Sequence, residues 1–320
     1  MSEPAPSPSP VARVVQRGAV REIRLARPEV HNALDEALIA TLTAAFDSAD
    51  DDAPAGGSAP NGSSDGAPAP GVRAVLLTAE GKSFCAGADL RYMRRVAAFS
   101  AEENLADARR VAALFAAVRA CPVPVIARIQ GNALGGGCGL LAACDVAIAA
   151  AEARFGFTEV RLGILPATIS PFVIERIGPA RARALFATGE IFDAAEALRI
   201  GLVDRVVPGP ELDGAVAAVL DALRLAAPEA ARGGKRLADR IGAALATERG
   251  PDGLPSPSLA EETAALIADL RARPEARAGM EAFLEKKPAP WAQPLLPENE
   301  TPPADDGRSD RTGAERHDPA

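Results

Sequence analysis

A chain of 320 residues that is 48% hydrophobic holds enough apolar side chains for one large domain or two modest ones, which excludes a wholly disordered or fibrous protein. Aromatic residues make up only 4%, with 1 Trp and 1 Tyr, against a nucleic-acid surface built of stacking platforms, and the two histidines, His31 and His317, leave little for zinc or Ser-His-Asp chemistry. The net charge of -8 is concentrated in residues 1–10, 50–71 and 292–320, so the remaining body is close to neutral and open to a phosphorylated ligand.

In chain order, MSEPAPSPSP (1–10) has the Pro and Ser content of a disordered tail. Strands are predicted at Val11–Val15 and Val20–Leu25 and a helix at 33–48, followed by a flexible surface loop over 50–71. Val72–Thr78 reads as a buried strand that runs into a loop with Gly81 and Gly87, which includes FCAGADL, and then into a helical pattern. A helix follows at 100–119 and a strand at Val123–Ile129. Next come the triple glycine Gly135–Gly137 and a short helix of small apolar residues, then a strand at Asp145–Ala150. Helices at 179–187 and 193–200 precede a strand at Val203–Val207, and helices at 211–226, 229–246 and 259–285 complete the body. Strands thus crowd the first two-thirds of the chain and helices the last third, the pattern of an α/β core (11–205) followed by a helical region (206–291) and a disordered acidic tail (292–320).

The four cysteines, Cys85, Cys121, Cys138 and Cys144, have no CxxC spacing and the chain does not start with a leader pattern, so a reduced, cytoplasmic protein is expected. The most apolar stretch, Ala133–Ala151, carries three consecutive glycines near its start and Asp145 inside it, and no membrane segment is predicted.

Three segments bear chemistry. Amides near Ala88 stand at the end of a strand, where a glycine turn is also a common structural device. The GNALGGGCGLL run places glycines at a helix N-terminus, where free N–H groups and the helix dipole favour developing negative charge; close backbone packing explains the same glycines. The glycines do not fit a phosphate-binding GxxxxGK[ST] loop. In ARFGFTEVRLGILP, Glu159 lies in apolar, glycine-punctuated surroundings that raise a carboxyl pKa toward neutrality and suit it to proton transfer; capping by backbone amides or pairing with Arg161 is the structural alternative.

Taken together and in this order, these segments resemble the enoyl-CoA hydratase/isomerase (crotonase) superfamily over about residues 11–291, including the later ALFATGEIFDAAEALRIGLVDRVVP and AGMEAFLEKKPAPW runs. LGILPATISPFVIERIG looks like bacterial methylglutaconyl-CoA or γ-carboxygeranoyl-CoA hydratases. The resemblance implies an α/β spiral of repeated ββα units, a C-terminal helical trimerisation region, and a homotrimer or hexamer. It implies an oxyanion hole at the backbone amides of Ala88 and Gly136, with Glu159 as catalytic acid/base. Ala86, Asp89, Gly135 and Arg161 are expected to contact the acyl-CoA thioester, with Phe283 and Lys286 closing over the CoA nucleotide of a neighbouring subunit. Neither metal nor separate cofactor is expected, because coenzyme A enters as part of the substrate, and no nucleic-acid or membrane partner is expected.

Family hydratases carry a first catalytic glutamate directly after GGGC, where this chain has Gly139. With one carboxyl group acting twice, taking a proton from water and returning one to Cα, the leading expectation is hydration of a 2-enoyl-CoA, branched or carboxylated and drawn from leucine or isoprenoid breakdown. A 3-enoyl to 2-enoyl-CoA isomerase using the same glutamate, and a non-catalytic acyl-CoA-binding member, are the alternatives. Glu102, Glu103 and Asp107 read as a solvated helix face, although some relatives carry extra acids there. Cys85 and Cys138 read as core filler rather than nucleophiles, and His31 has no catalytic role.

Overall fold

The computed structural model describes residues 10–49, 71–248 and 254–297. The predicted loop at 50–71 and the two predicted tails, apart from Pro10, Gly71 and residues 292–297, lie outside the described residues.

Strands β1 (Ala12–Arg17) and β2 (Val20–Leu25) form an antiparallel hairpin, and helix α1 (Glu36–Asp47) follows, its first turn closed by the Asp35 carboxylate accepting from the Leu38 N–H. Strand β3 (Ala74–Ala79) leads into α2 (Leu90–Val96) and α3 (Ala101–Ala120). Two ββα turns come next: β4 (Val125–Ile129), β5 (Asn132–Leu134) and α4 (Gly136–Ala143), then β6 (Val146–Ala150), β7 (Arg154–Gly156) and α5 (Ser170–Ile177). Helix α6 (Pro179–Thr188), β8 (Ile191–Asp193), α7 (Ala194–Ile200) and β9 (Arg205–Val207) close the core, and α8 (Leu212–Leu225), α9 (Pro228–Thr247), α10 (Pro257–Ala272) and α11 (Pro274–Leu284) form the helical region.

The two strands of each ββα turn go to different sheets. The first joins a six-stranded sheet of order β1-β2-β3-β4-β6-β9, parallel except for the β1–β2 hairpin, and the second joins a small sheet of order β5-β7-β8. The chain thereby winds as the spiral that the resemblance implies. All residues of β3 and β4 are buried, as expected for parallel strands covered on both faces. A main core of Leu38, Phe46, Leu77, Phe84 and Phe115 fills one side, and a smaller cluster around Leu76, Ile126 and Val216 fills the other. Each such fully buried side chain contributes about 1.5–3 kcal/mol.

The structure departs from the sequence-based expectations in four places. The three-residue strands β5, β7 and β8 are too short to show an alternating pattern, and the whole small sheet was invisible in the sequence. The short helix α5, set between Pro166 and Gly178, was missed for the same reason. The single predicted helix 259–285 is two helices, because Pro274 holds Arg273 extended (φ -73, ψ 151) and lacks the N–H that would continue the first. The packed chain also runs past residue 291: Leu295 is buried and its carbonyl accepts from the Ala19 N–H at 2.8 Å. Among the described residues, no helix is long and apolar enough to cross a membrane.

Candidate active site

Two turns and one short 3-10 segment meet at a cleft of about 350 Å³. The first turn carries Ala88. Leu34 and Ala88 form an isolated parallel bridge in which the Leu34 N–H donates to the Gly87 carbonyl at 2.7 Å and the Leu34 carbonyl accepts from the Asp89 N–H at 2.9 Å. In such a bridge the residue between the two bonded partners turns its own N–H to the opposite side. The Ala88 N–H accordingly bonds to no acceptor among the described residues, and Ala88 lines the cleft.

The loop under this turn is held by a polar network that sequence reading missed. Buried Asn32 donates to the carbonyls of Glu80 and Ser83 and accepts from the Arg27 N–H, while the Arg27 guanidinium bridges Asp35 and Asp89, each at 3.0 Å. No local motif marks these residues, because their partners lie up to 62 positions away.

The second turn is the start of α4. Gly135 adopts φ 50, ψ -115, a backbone conformation closed to residues with a Cβ, and so turns the chain sharply into the helix. As the first helical residue, Gly136 has no intrahelical acceptor for its N–H, and no other described residue supplies one. The glycines divide by environment. Gly135 and Gly136 border the cleft, whereas Gly137 serves close packing, since a Cβ there would lie 2.3 Å from the Cys85 carbonyl oxygen.

The third contributor is Glu159, in the 3-10 turn Thr158–Leu162. Its Oε1 lies 3.1 Å from where a Cβ on Gly135 would stand, so the carboxyl abuts the turn that presents the Gly136 amide. The Oε2 atom is buried without a hydrogen-bond partner. Burial pushes the Glu159 carboxyl above the usual carboxylate range, opposed only by a backbone hydrogen bond. Pairing with Arg161, the structural alternative, is not realised: Arg161 is exposed and does not line the cleft.

The other sequence candidates fall as follows. Ala86 and Gly135 line the cleft. Asp89 does not: it caps α2, and against the effect of burial the Arg91 and Tyr92 N–H groups it accepts from, followed by its salt bridge with Arg27, hold its carboxyl below the usual range. Phe283, 82% exposed, lies on a separate cavity of about 560 Å³ between α9, α10 and α11. Lys286 stands beyond the end of α11 in left-handed backbone (φ 55), so it does not share a helix face with Phe283.

The solvated-face reading of α3 holds for Glu102, which is exposed, and for Glu103, which closes a capping box with Ser100. It fails for Asp107, which is 5% exposed and accepts from the Tyr92 hydroxyl at 2.5 Å and from Arg110 at 2.8 Å. Cys85 and Cys138 are buried; burial pushes the Cys85 thiol up to about 12 and raises that of Cys138 as well, so neither is a ready nucleophile. His31 lies at a left-handed turn with Nδ1 3.2 Å from the Ser83 hydroxyl, and it does not line the cleft.

Gly139 has a steric consequence. A Cβ at this position would lie 2.3 Å from Ile169 Cγ2 and 2.9 Å from Phe115 Cε1, so these side chains fill the space that a longer residue would need. Glu159 is the only carboxylate lining the cleft among the described residues. Installing the absent acid as Gly139→Glu is expected to overpack this wall by about 1–3 kcal/mol and to lower Tm without raising turnover; thermal unfolding alongside kcat checks this.

Comparison with known proteins bears directly on this arrangement. The enoyl-CoA hydratase/isomerase family profile matches residues 16–294. A Thermus thermophilus protein whose name places it with the enoyl-CoA hydratases is 34% identical over 274 residues, covering 86% of this chain and 98% of its own. A crotonyl-CoA hydratase of Syntrophomonas wolfei is 38% identical over 188 residues, 58% of this chain and 65% of that one. The crystal structure of an enoyl-CoA hydratase from Shewanella pealeana superposes with a TM-score of 0.76 at 32% identity, over 88% of this chain and 96% of that chain.

Proposed function

Because the chain belongs to the enoyl-CoA hydratase/isomerase family, we propose that it adds water across the double bond of a 2-enoyl-CoA, with Glu159 as the acid/base and the Ala88 and Gly136 amides as the oxyanion hole. The observation that carries this reading is the buried, unpartnered Oε2 of Glu159, whose carboxyl stands against the Gly135–Gly136 turn in the cleft that Ala88 also lines. In the proposed reaction Glu159 takes a proton from water as the water oxygen bonds to Cβ. The electron pair of the double bond moves toward the thioester oxygen, where two main-chain donors stabilise the enolate. Glu159 then returns the proton to Cα. Each oxyanion donor supports roughly 10²–10³ in rate. The elevated pKa of Glu159 suits an acid that takes and gives a proton near neutrality.

The presence of a single carboxylate favours a second reading, isomerisation of a 3-enoyl-CoA, in which Glu159 moves a proton between carbons without water. Turnover of 2-enoyl-CoA and 3-enoyl-CoA in heavy-oxygen water separates the two: labelled 3-hydroxyacyl-CoA supports hydration, and an unlabelled shifted double bond supports isomerisation. Absence of both products would sink the enzymatic proposal in favour of acyl-CoA binding without turnover.

For the acyl group, Leu90, Met93, Val111, Phe115, Ile164 and Leu165 give the cleft an apolar wall that supports a branched aliphatic chain. No lysine or arginine lines it among the described residues, so a carboxylated acyl chain would lack a counter-charge there. Arg161→Ala is accordingly expected to leave the ratio of kcat/KM for a glutaconyl-type thioester over crotonyl-CoA unchanged. A severalfold fall in that ratio would instead make Arg161 a clamp for the second carboxylate of such a substrate. The exposed Met280, Phe283 and Leu284 at the end of α11 support assembly through the helical region, as in the trimer that the resemblance implies.

A further inference from the structure

Hydration through a single glutamate leaves a physical gap. A nucleophilic water is oriented only if both its hydrogens are engaged, and Glu159 can accept one of them. A second acceptor has to face the same water, yet position 139 is a glycine whose surroundings are filled by Ile169 and Phe115.

Tyr92, the only tyrosine in the chain, lines the same cleft from α2. Its hydroxyl donates to Asp107 Oδ2 at 2.5 Å; Asp107 is itself buried, does not line the cleft, and is held from its other oxygen by Arg110. Burial and the neighbouring Asp107 carboxylate push the Tyr92 hydroxyl upward, so it keeps its proton. A tyrosine hydroxyl has one hydrogen and two lone pairs. With that hydrogen committed to Asp107 and no donor to its oxygen among the described residues, the hydroxyl has only acceptor capacity left to offer.

Resting on the hydratase reading above, we infer that Tyr92 is a positioning residue for the attacking water, accepting its second hydrogen while Glu159 accepts the first, and that Asp107 fixes the hydroxyl in this acceptor role. A water that donates both hydrogens directs its lone pairs at Cβ. A tyrosine free to rotate would instead donate to one of those lone pairs and blunt the nucleophile, which gives a reason for a buried carboxylate behind it.

Tyr92→Phe removes the acceptor and keeps the ring. Hydration of crotonyl-CoA is expected to lose about tenfold in kcat, the size of one hydrogen bond, with KM and the affinity for the saturated thioester butyryl-CoA close to wild type and Tm lowered, because the buried Asp107 carboxylate loses its hydroxyl donor. A kcat within about twofold of wild type overturns the inference, and so does an equal loss of butyryl-CoA affinity, which would make Tyr92 a packing residue. Should this variant fail to fold, Asp107→Asn carries the test: it keeps both side chains and their volumes but holds the phenolic hydrogen more weakly. It is expected to lower kcat for hydration with butyryl-CoA affinity unchanged, and wild-type turnover overturns the inference. If the wild-type protein hydrates no enoyl-CoA, the parent reading fails. If it does so and both variants match it while Glu159→Gln is inactive, this inference alone fails.

Discussion

Glu159→Gln is expected to lower kcat for enoyl-CoA turnover by at least about 10², the lower end of general acid–base catalysis, with little change in affinity for a saturated acyl-CoA. The substitution keeps the side-chain volume and removes the only carboxylate lining the cleft among the described residues. It also tests the environment of the group. Burial raises the pKa of Glu159 in the folded protein, so the folded state favours the neutral acid. Relative to the unfolded chain, that preference stabilises fully below the unfolded carboxyl pKa of about 4.3 and is lost as pH rises through the folded pKa. The neutral amide is free of this dependence. The variant is therefore expected to melt higher than wild type at mildly alkaline pH, with the difference closing as the solution is acidified. Full activity would remove Glu159 from the mechanism, and a pH-independent difference in Tm would contradict the buried-carboxyl account.

Gly135→Ala is expected to reduce kcat by about 10²–10³, the loss associated with one oxyanion donor. Two independent facts converge here. The backbone at φ 50, ψ -115 does not admit a Cβ, so the turn must relax, and the added methyl would lie 3.1 Å from Glu159 Oε1. Either response shifts the Gly136 N–H relative to the acid. Because the turn abuts buried α4, a fall in Tm accompanies the kinetic loss. Retained kcat in a folded variant would show that the Gly136 amide takes no part in stabilising the enolate. Contrast with Gly136→Ala separates position from conformation. There the new Cβ meets the tip of Leu34 at 2.7 Å, a flexible side chain that can yield, and a smaller effect is expected.

The legibility of the site followed the range of the interactions that build it. Glu159, Ala88 and Gly136 were readable because each sits in a contiguous run of residues whose local backbone does the work: a glycine turn, a helix start, a lone acid among apolar neighbours. Asp89 and Asp107 were misread because a carboxylate in sequence carries no record of its partner. Asp89 is occupied by capping α2 and by Arg27, and Asp107 by a tyrosine fifteen residues earlier. Tyr92 drew no attention at all, since one aromatic in a helical pattern is ordinary.

By itself the amino-acid order determined the family, the alternation of buried strands with helices, and the departure at Gly139, since these reside in local composition and motif spacing. Only the tertiary structure decided that the first strand of each ββα turn enters one sheet and the second another, that the two amide-bearing turns and one acid border a common cleft, and that Ile169 and Phe115 occupy the space beside Gly139. The reason is physical: three-residue strands and buried polar pairs owe their stability to partners distant in the chain, so they have no signature until the chain has folded around them.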